Sequence, residues 1–219
     1  MAEIISLGKM AKSYLIKEDD NSILVDTSIG FDKNSIYNSI KDENVALIFL
    51  THGHVDHVTN AEYLSKKLNT PIAMSKLDYP MISENFEPKM HHYNLFGRIL
   101  ISTTKVMNKF NKLKKFNVDF LIEDKDFLEE YGVEGINGIV HSLPGHTKGS
   151  VGLMIDNDKF IVGDAMMNHF SPSPASIFEN RDEMLKSVDF IKNSNASVIY
   201  TGHGKSFKNT PGHEYKKTN

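Results

Sequence analysis

Four potential metal donors fall within six residues, His52, His54, Asp56 and His57, in the segment HGHVDH that directly follows the apolar run Val45 to Leu50. Side chains alternate on an extended backbone, so His52 and His54 share one side. Asp56 and His57 come where the chain turns toward a helix, at a separate but adjacent position. That geometry suits two ions better than one, and a hydrophobic core has no use for a carboxylate beside an imidazole. Each ion needs three or four ligands, so four local groups cannot fill two sites. Remote candidates stand in turn-like settings: His146 in LPGHTKGS, Asp164 after Ile161-Val162-Gly163, and His203 between Gly202 and Gly204. A neighbouring glycine permits a special dihedral or close approach of the chain. The expected assignment gives one ion His52, His54 and His146, the other Asp56, His57 and His203, with Asp164 bridging them. Two ions about 3.5 to 4 Å apart can hold a hydroxide and lower the pKa of its parent water from about 15.7 toward about 7, which supplies a nucleophile at neutral pH. Asp56, both ligand and orienter of that nucleophile, is the expected catalytic residue. For His91, His92 and His213, whose surroundings lack other donors, packing or solvent roles are expected.

Composition narrows the chemistry. The 219 residues contain no cysteine, which excludes disulfides, a Cys nucleophile, iron–sulfur ligation and Cys-containing zinc sites. Lys and Arg number 25 against 28 Asp and Glu, a formal charge of −3, so no overall basic field attracts nucleic acid. The opening MAEIISLGKMAKSYLIKEDD lacks the uninterrupted apolar stretch of a signal peptide, and no run approaches the roughly 18 apolar residues of a membrane span. A cytoplasmic location and no membrane partner are therefore expected. HExxH, a Walker A loop, GxGxxG and GxSxG are all missing. A barrel-type amidohydrolase with an HxH pair would need roughly 250 residues.

The elements that must position these donors are short. Ser13 to Ile16 and Ser22 to Val25 read as a hairpin around Lys17 to Asn21, and Val45 to Leu50 is a strand. Ala61, Leu64 and Leu68 mark a helical face that Thr70-Pro71 ends before a strand at Ile72 to Met74. Leu95, Ile99, Val106, Phe110 and Leu113, widened by Phe96, Leu100 and Met107, predict a helix or bent helical pair over about Leu95 to Phe116. Arg98 to Lys115 carries six basic residues and no acid, and Asp119 to Glu134 seven acids against Lys125; a solvated face followed by an acidic loop accounts for both. Strands follow at Ile136 to Ser142, Ser150 to Ile155 and Lys159 to Val162, the last two joined through Asp156-Asn157-Asp158. Arg181 to Lys192 predicts a helix and Ser197 to Tyr200 a strand leading into TGHG.

Together these segments resemble the metallo-β-lactamase superfamily. THGHVDH at Thr51 to His57 matches its HxHxDH hallmark, and HSLPGHTKGS at His141 to Ser150 is similar to its PGHTxGS segment. Gly163-Asp164 matches the bridging-Asp segment, and TGHG at Thr201 to Gly204 the final His segment. The resemblance implies an α+β fold, a four-layer αββα sandwich, forming a single domain over 1–219 with a helical insertion at about 90–117. It also implies the ligand roles assigned above. Val25-Asp26-Thr27 resembles the family's early DTG segment with Ser28 in place of Gly, which makes Asp26 a residue that orients a ligand or loop. PGHT is similar to the glyoxalase II-like and lactonase-like branch, but no glutathione-binding helical domain is expected in the residues after Gly204. The tyrosine that lactonases place after the bridging Asp is absent from Asp164 to His169; His169 is a candidate for assisting a leaving group or standing at the rim.

The expected activity is hydrolysis of an ester-like bond, in a thioester, lactone or related small molecule, with two divalent ions as cofactors, Zn first and Fe or Mn also compatible. Three alternatives stay open: a phosphodiesterase on a small nucleotide-type substrate, a mononuclear iron sulfur dioxygenase, and a non-catalytic metal-binding sensor. The expected partner is a small-molecule substrate, with the Leu95 to Phe116 segment serving as cap, homodimer surface or core packing.

Overall fold

The computed structural model describes residues 1–93, 95, 97–99, 101–102, 113–123 and 127–210. One sheet has the order β1 (Glu3–Leu7), β2 (Ser13–Glu18), β3 (Asn21–Val25), β4 (Val45–Leu50), β5 (Ile72–Ser75), then a strand at Phe120–Ile122. Its first three strands are antiparallel and the rest run parallel. Between these strands lie α1 (Lys33–Ile40), the single turn α2 (Val55–Val58), α3 (Ala61–Leu68) and α4 (Tyr79–Ser83). With β6 (His91–His92) in a small separate pairing, the Phe120–Ile122 strand is β7.

The second sheet contains β8 (Gly138–Ser142), β9 (Val151–Ile155) and β10 (Lys159–Ile161). Three two-residue strands follow, β11 (Met166–Met167), β12 (Ser173–Pro174) and β13 (Ile177–Phe178), then α5 (Arg181–Lys192), β14 (Val198–Tyr200) and β15 (Phe207–Lys208). Its order is β15-β14-β10-β9-β8, with β10 and β14 parallel.

Strand alternation builds the layers. In β4, Leu47 and Phe49 point into a cluster shared with Val140, Val151, Leu153, Ile155 and Ile161 of the second sheet. Ile48 and Leu50 point the other way, onto Ile36, Ile40, Val58, Ala61 and Leu64 of the helices. The outer face of the second sheet buries Met154, Phe160 and Ile199 against Val188 and Ile191 of α5. Helix, sheet, sheet, helix is the four-layer αββα arrangement expected, and period-two strands buried on both faces are what it requires.

The expected helix over Leu95 to Phe116 needs correction. Leu95, Gly97 to Ile99 and Ile101 to Ser102 are helical, whereas Leu113 to Val118 have no regular structure. Phe116 is buried and Leu113 and Val118 are partly buried against the helix-side cluster, so the apolar spacing there belongs to an irregular segment leading into β7. Phe96, Leu100, Val106, Met107 and Phe110 lie outside the described residues, as does His213. His91 and His92 are exposed, in β6 paired with β13, consistent with a role away from the donors. Among the described residues no helix is long and apolar enough to cross a membrane.

Candidate metal centre

The seven donors come from both sheets and meet at one edge. His52 and His54 leave the end of β4, Asp56 and His57 ride on α2, and His146 sits in the β8–β9 loop. Asp164 occupies a helical turn, Gly163–Ala165, after β10, and His203 follows β14. Because β10 and β14 are parallel, Asp164 and His203 emerge at the same edge of their sheet. The backbone N–H of Val151 donates to the Thr51 carbonyl at 2.8 Å, which stitches that edge to β4. Gly202 permits the closest approach: a Cβ there would lie 2.1 Å from Asp164 Oδ1 and 2.8 Å from His57 Cε1.

Donor atoms form three overlapping triads, each within 4.8 Å: His52, His54 and His146; His52, His57 and Asp164; Asp56, His57 and His203. His146 Nε2 lies 2.9 Å from His54 Nδ1. Asp164 Oδ1 is 3.5 Å from His57 Nε2, and its Oδ2 is 3.6 Å from His146 Nε2 and 3.5 Å from His203 Nε2. Asp56 Oδ2 lies 3.1 Å from His203 Nε2 and 3.8 Å from His57 Nε2. Tetrahedral bonds of about 2.0–2.1 Å place adjacent donors about 3.3–3.4 Å apart, the middle of this range. His52 Nε2, His57 Nε2 and Asp164 Oδ1 are buried without a hydrogen-bond partner. Buried polar atoms are normally satisfied, so three orphans gathered in one triad fit a cluster built to hold cations.

Outer contacts fix the rings. His57 Nδ1–H donates to Asp26 Oδ2 at 2.8 Å, and the Thr51 hydroxyl donates to the same oxygen at 2.8 Å. Thr51 Oγ1 is also 3.0 Å from His52 Nδ1, so with its own proton on Asp26 it accepts from the His52 ring. Both imidazoles thereby turn Nε2 toward the cluster. His146 Nδ1–H donates to the Ile177 carbonyl at 2.9 Å. Asp26 takes a left-handed backbone, φ 57°, as does Ser28, φ 55°. The Ser28 hydroxyl contacts the Ala11 carbonyl at 2.9 Å and Asp32 Oδ2 at 2.8 Å, anchoring a residue at the backbone geometry that usually takes glycine.

Electrostatics divides the cluster. Burial, then the neighbouring imidazoles, pushes His52 well below its ordinary pKa, and burial followed by His54 pushes His146 down to about 4. Burial opposes charge on His57 too, but Asp164, Asp26 and Asp56 outweigh it and push His57 up to about 10. Burial would raise Asp56, yet His57 and His203 hold it well below the usual carboxylate range. One half thus presents neutral lone pairs, while on the other half protons balance the carboxylates.

His169 stands apart from the triads, its ring 6.0 Å from that of His203. Sequence reasoning missed Asp78 and gave Thr51 no role. Asp78 carries no motif, and its contacts lie on distant loops.

A four-layer αββα sandwich with a His and Asp cluster at one edge defines a class, and comparison names it. The chain belongs to the metallo-β-lactamase superfamily, whose family model matches residues 8–203. An uncharacterized protein of Mycobacterium tuberculosis is 29% identical over 169 residues, 74% of this chain and 70% of that protein. Ribonuclease J 2 of Staphylococcus aureus is 22% identical over 189 residues, 81% of this chain but 31% of that protein. Among solved structures, the BLEG-1 B3 metallo-β-lactamase superposes with TM-score 0.69 at 16% identity, covering 95% of this chain and 94% of that one. TTHA1623 in a di-iron-bound form gives 0.64 at 18%, covering 94% of each. At these identities the structural likeness concerns the fold.

Proposed function

We propose that this protein is a binuclear metal-dependent hydrolase that cleaves an ester-like bond, as in a thioester or lactone, of a small molecule. The observation that carries the reading is the convergence of seven donors from both sheets, three of their atoms buried without partners. His52, His54 and His146 would hold one ion, Asp56, His57 and His203 the other, with Asp164 in contact with both. Zn is the first expectation and Fe or Mn fits the same donors; a di-iron form of a protein of similar fold supports keeping iron in view. Bound divalent ions supply a Lewis acid for the substrate carbonyl and acidify water to give a nucleophile near neutral pH.

The chain's own groups do the positioning. The Asp56 side chain is 41% exposed and its carboxylate is held ionised by His57 and His203, so it can accept a hydrogen bond from an entering water at Oδ and orient it. Asp26 and Thr51 hold His57 and His52 with Nε2 inward. His169 is exposed, and its pKa is lowered by partial desolvation and by His203, which suits a neutral hydrogen-bonding group at the rim better than a cationic acid.

The test is metal quantification, stripping, reloading with Zn, Fe or Mn, and a panel of thioesters, lactones and phosphodiesters. Hydrolysis of the first two by the reloaded protein supports the reading, and a loaded protein inert toward both refutes it. Turnover confined to phosphodiesters would favour a second reading, supported by the similarity to a ribonuclease.

A further inference from the structure

Asp78 is a buried carboxylate, 1% exposed, that the reaction does not use. It directly precedes α4, the position from which an aspartate ordinarily accepts N–H groups of its own helix. It makes no such bond. Its oxygens are committed elsewhere: Oδ2 accepts the Gly53 N–H at 2.9 Å and the Thr147 hydroxyl at 2.7 Å, and Oδ1 accepts the Gly149 N–H at 2.7 Å. Gly53 lies between His52 and His54, while Thr147 and Gly149 follow His146. One carboxylate therefore ties together two loops from different sheets, the loops that present all three members of one donor triad. The clamp has no slack: a Cβ at Gly149 would lie 2.5 Å from Asp78 Oδ1, and one at Gly53 would lie 2.7 Å from Met81 Sδ. Asp26 holds His57 directly and His52 through Thr51, whereas the loops that carry His54 and His146 are tied together by Asp78.

We propose that Asp78 is a positioning residue for the His52, His54 and His146 ion site: by accepting from both loops it fixes the spacing of His54 and His146, and so the affinity of that site, without touching the ion. The inference rests on the metal reading above. Groups one contact removed from metal ligands typically change metal affinity about 10- to 100-fold when replaced. Three donors converging on one buried carboxylate give this one the leverage to do so.

The experiment titrates metal-free protein with zinc against a competing chromophoric chelator, resolving two affinities in wild type, Asp78→Asn, Thr147→Val and Thr147→Ser. The unfolding midpoint of each metal-free form is recorded alongside. One zinc affinity should fall about 10- to 100-fold in Asp78→Asn and about tenfold in Thr147→Val, while the other stays within about twofold. Thr147→Ser, which keeps the hydroxyl, should restore the lost affinity. Two affinities unchanged in every variant would overturn the inference alone. So would two affinities falling together in step with the metal-free midpoint, the pattern of a merely structural residue. Wild-type protein that binds no zinc would overturn the metal reading and this inference with it. Should Asp78→Asn fail to fold, the Thr147 pair decides.

Discussion

Replacing Asp26 with asparagine exchanges one oxygen for an amide group where Thr51 and His57 meet. The carboxylate accepts the Thr51 N–H on Oδ1 at 2.8 Å, and on Oδ2 the Thr51 hydroxyl and the His57 Nδ1–H, each at 2.8 Å. Asparagine has a single acceptor oxygen. Its best orientation keeps the two bonds at the Oδ2 position and turns the NH2 group toward the Thr51 N–H. A buried donor left without an acceptor costs about 1–3 kcal/mol, and the His57 bond weakens by about 1 kcal/mol as it loses its charged partner. The sum, about 2–4 kcal/mol, is a large share of the 5–15 kcal/mol, roughly, that holds a typical fold. With a urea slope of about 2 kcal/mol/M, the midpoint of the metal-free protein should fall by roughly 1–2 M. The pH profile should change as well. After burial, which lowers it, Asp164 and Asp26 are the leading influences that raise His57 from 6.5 to about 10. Its proton therefore stabilises the metal-free fold fully below pH 6.5, and that contribution is lost as pH rises toward about 10. In Asp26→Asn the contribution should be smaller, and its loss, which still begins near pH 6.5, should be complete at a lower pH than in wild type. A urea midpoint displaced by less than about 0.3 M, with a pH profile overlying that of wild type, would refute the reasoning.

Asp56→Asn should retain the fold while turnover drops about 100-fold or more, because a neutral amide is a weaker ligand and a weaker acceptor for orienting the attacking water; full activity at normal metal content would sink that role. Gly202→Ala drives a methyl group to within 2.1 Å of Asp164 Oδ1, so mass spectrometry under native conditions should find fewer bound ions than in wild type; an unchanged count would contradict the close approach. Zinc uptake at pH 7.5 should release about one proton or more, because a ligand must bind deprotonated and His57 is raised to about 10. Titration calorimetry in two buffers of different ionisation enthalpy measures this, and identical heats would count against it.

Much of this architecture is legible in the residues themselves. The β4 run VALIFL and the helix Arg181–Lys192 have the bounds their patterns predict, and Asn180 caps that helix by accepting the Asp182 and Glu183 N–H groups. The donors are legible because side chains that bind ions cluster beside turns and glycines, a local pattern. Asp78 is different: its three partners lie 25, 69 and 71 residues away, and an aspartate before Tyr-Pro reads locally as an ordinary helix cap. The segment after Leu113 misleads for a related reason. Phe116, Val118, Phe120 and Ile122 recur every second residue, but the i+3 and i+4 spacing upstream is the longer signal, and only packing against the sheet decides between them. Ser28 shows tertiary contacts replacing local preference, since its hydroxyl bonds support a left-handed residue that is not glycine.

His54 and His146 touch across 92 residues of chain. During synthesis the HGHVDH loop leaves the ribosome well before its partners exist, and a half-made chain offers only a weak, open chelate. The full cage closes when the later sheet docks on the earlier one, so on the proposed metal reading ion capture would report completed assembly, and a chain that misdocks its halves would fail to hold ions.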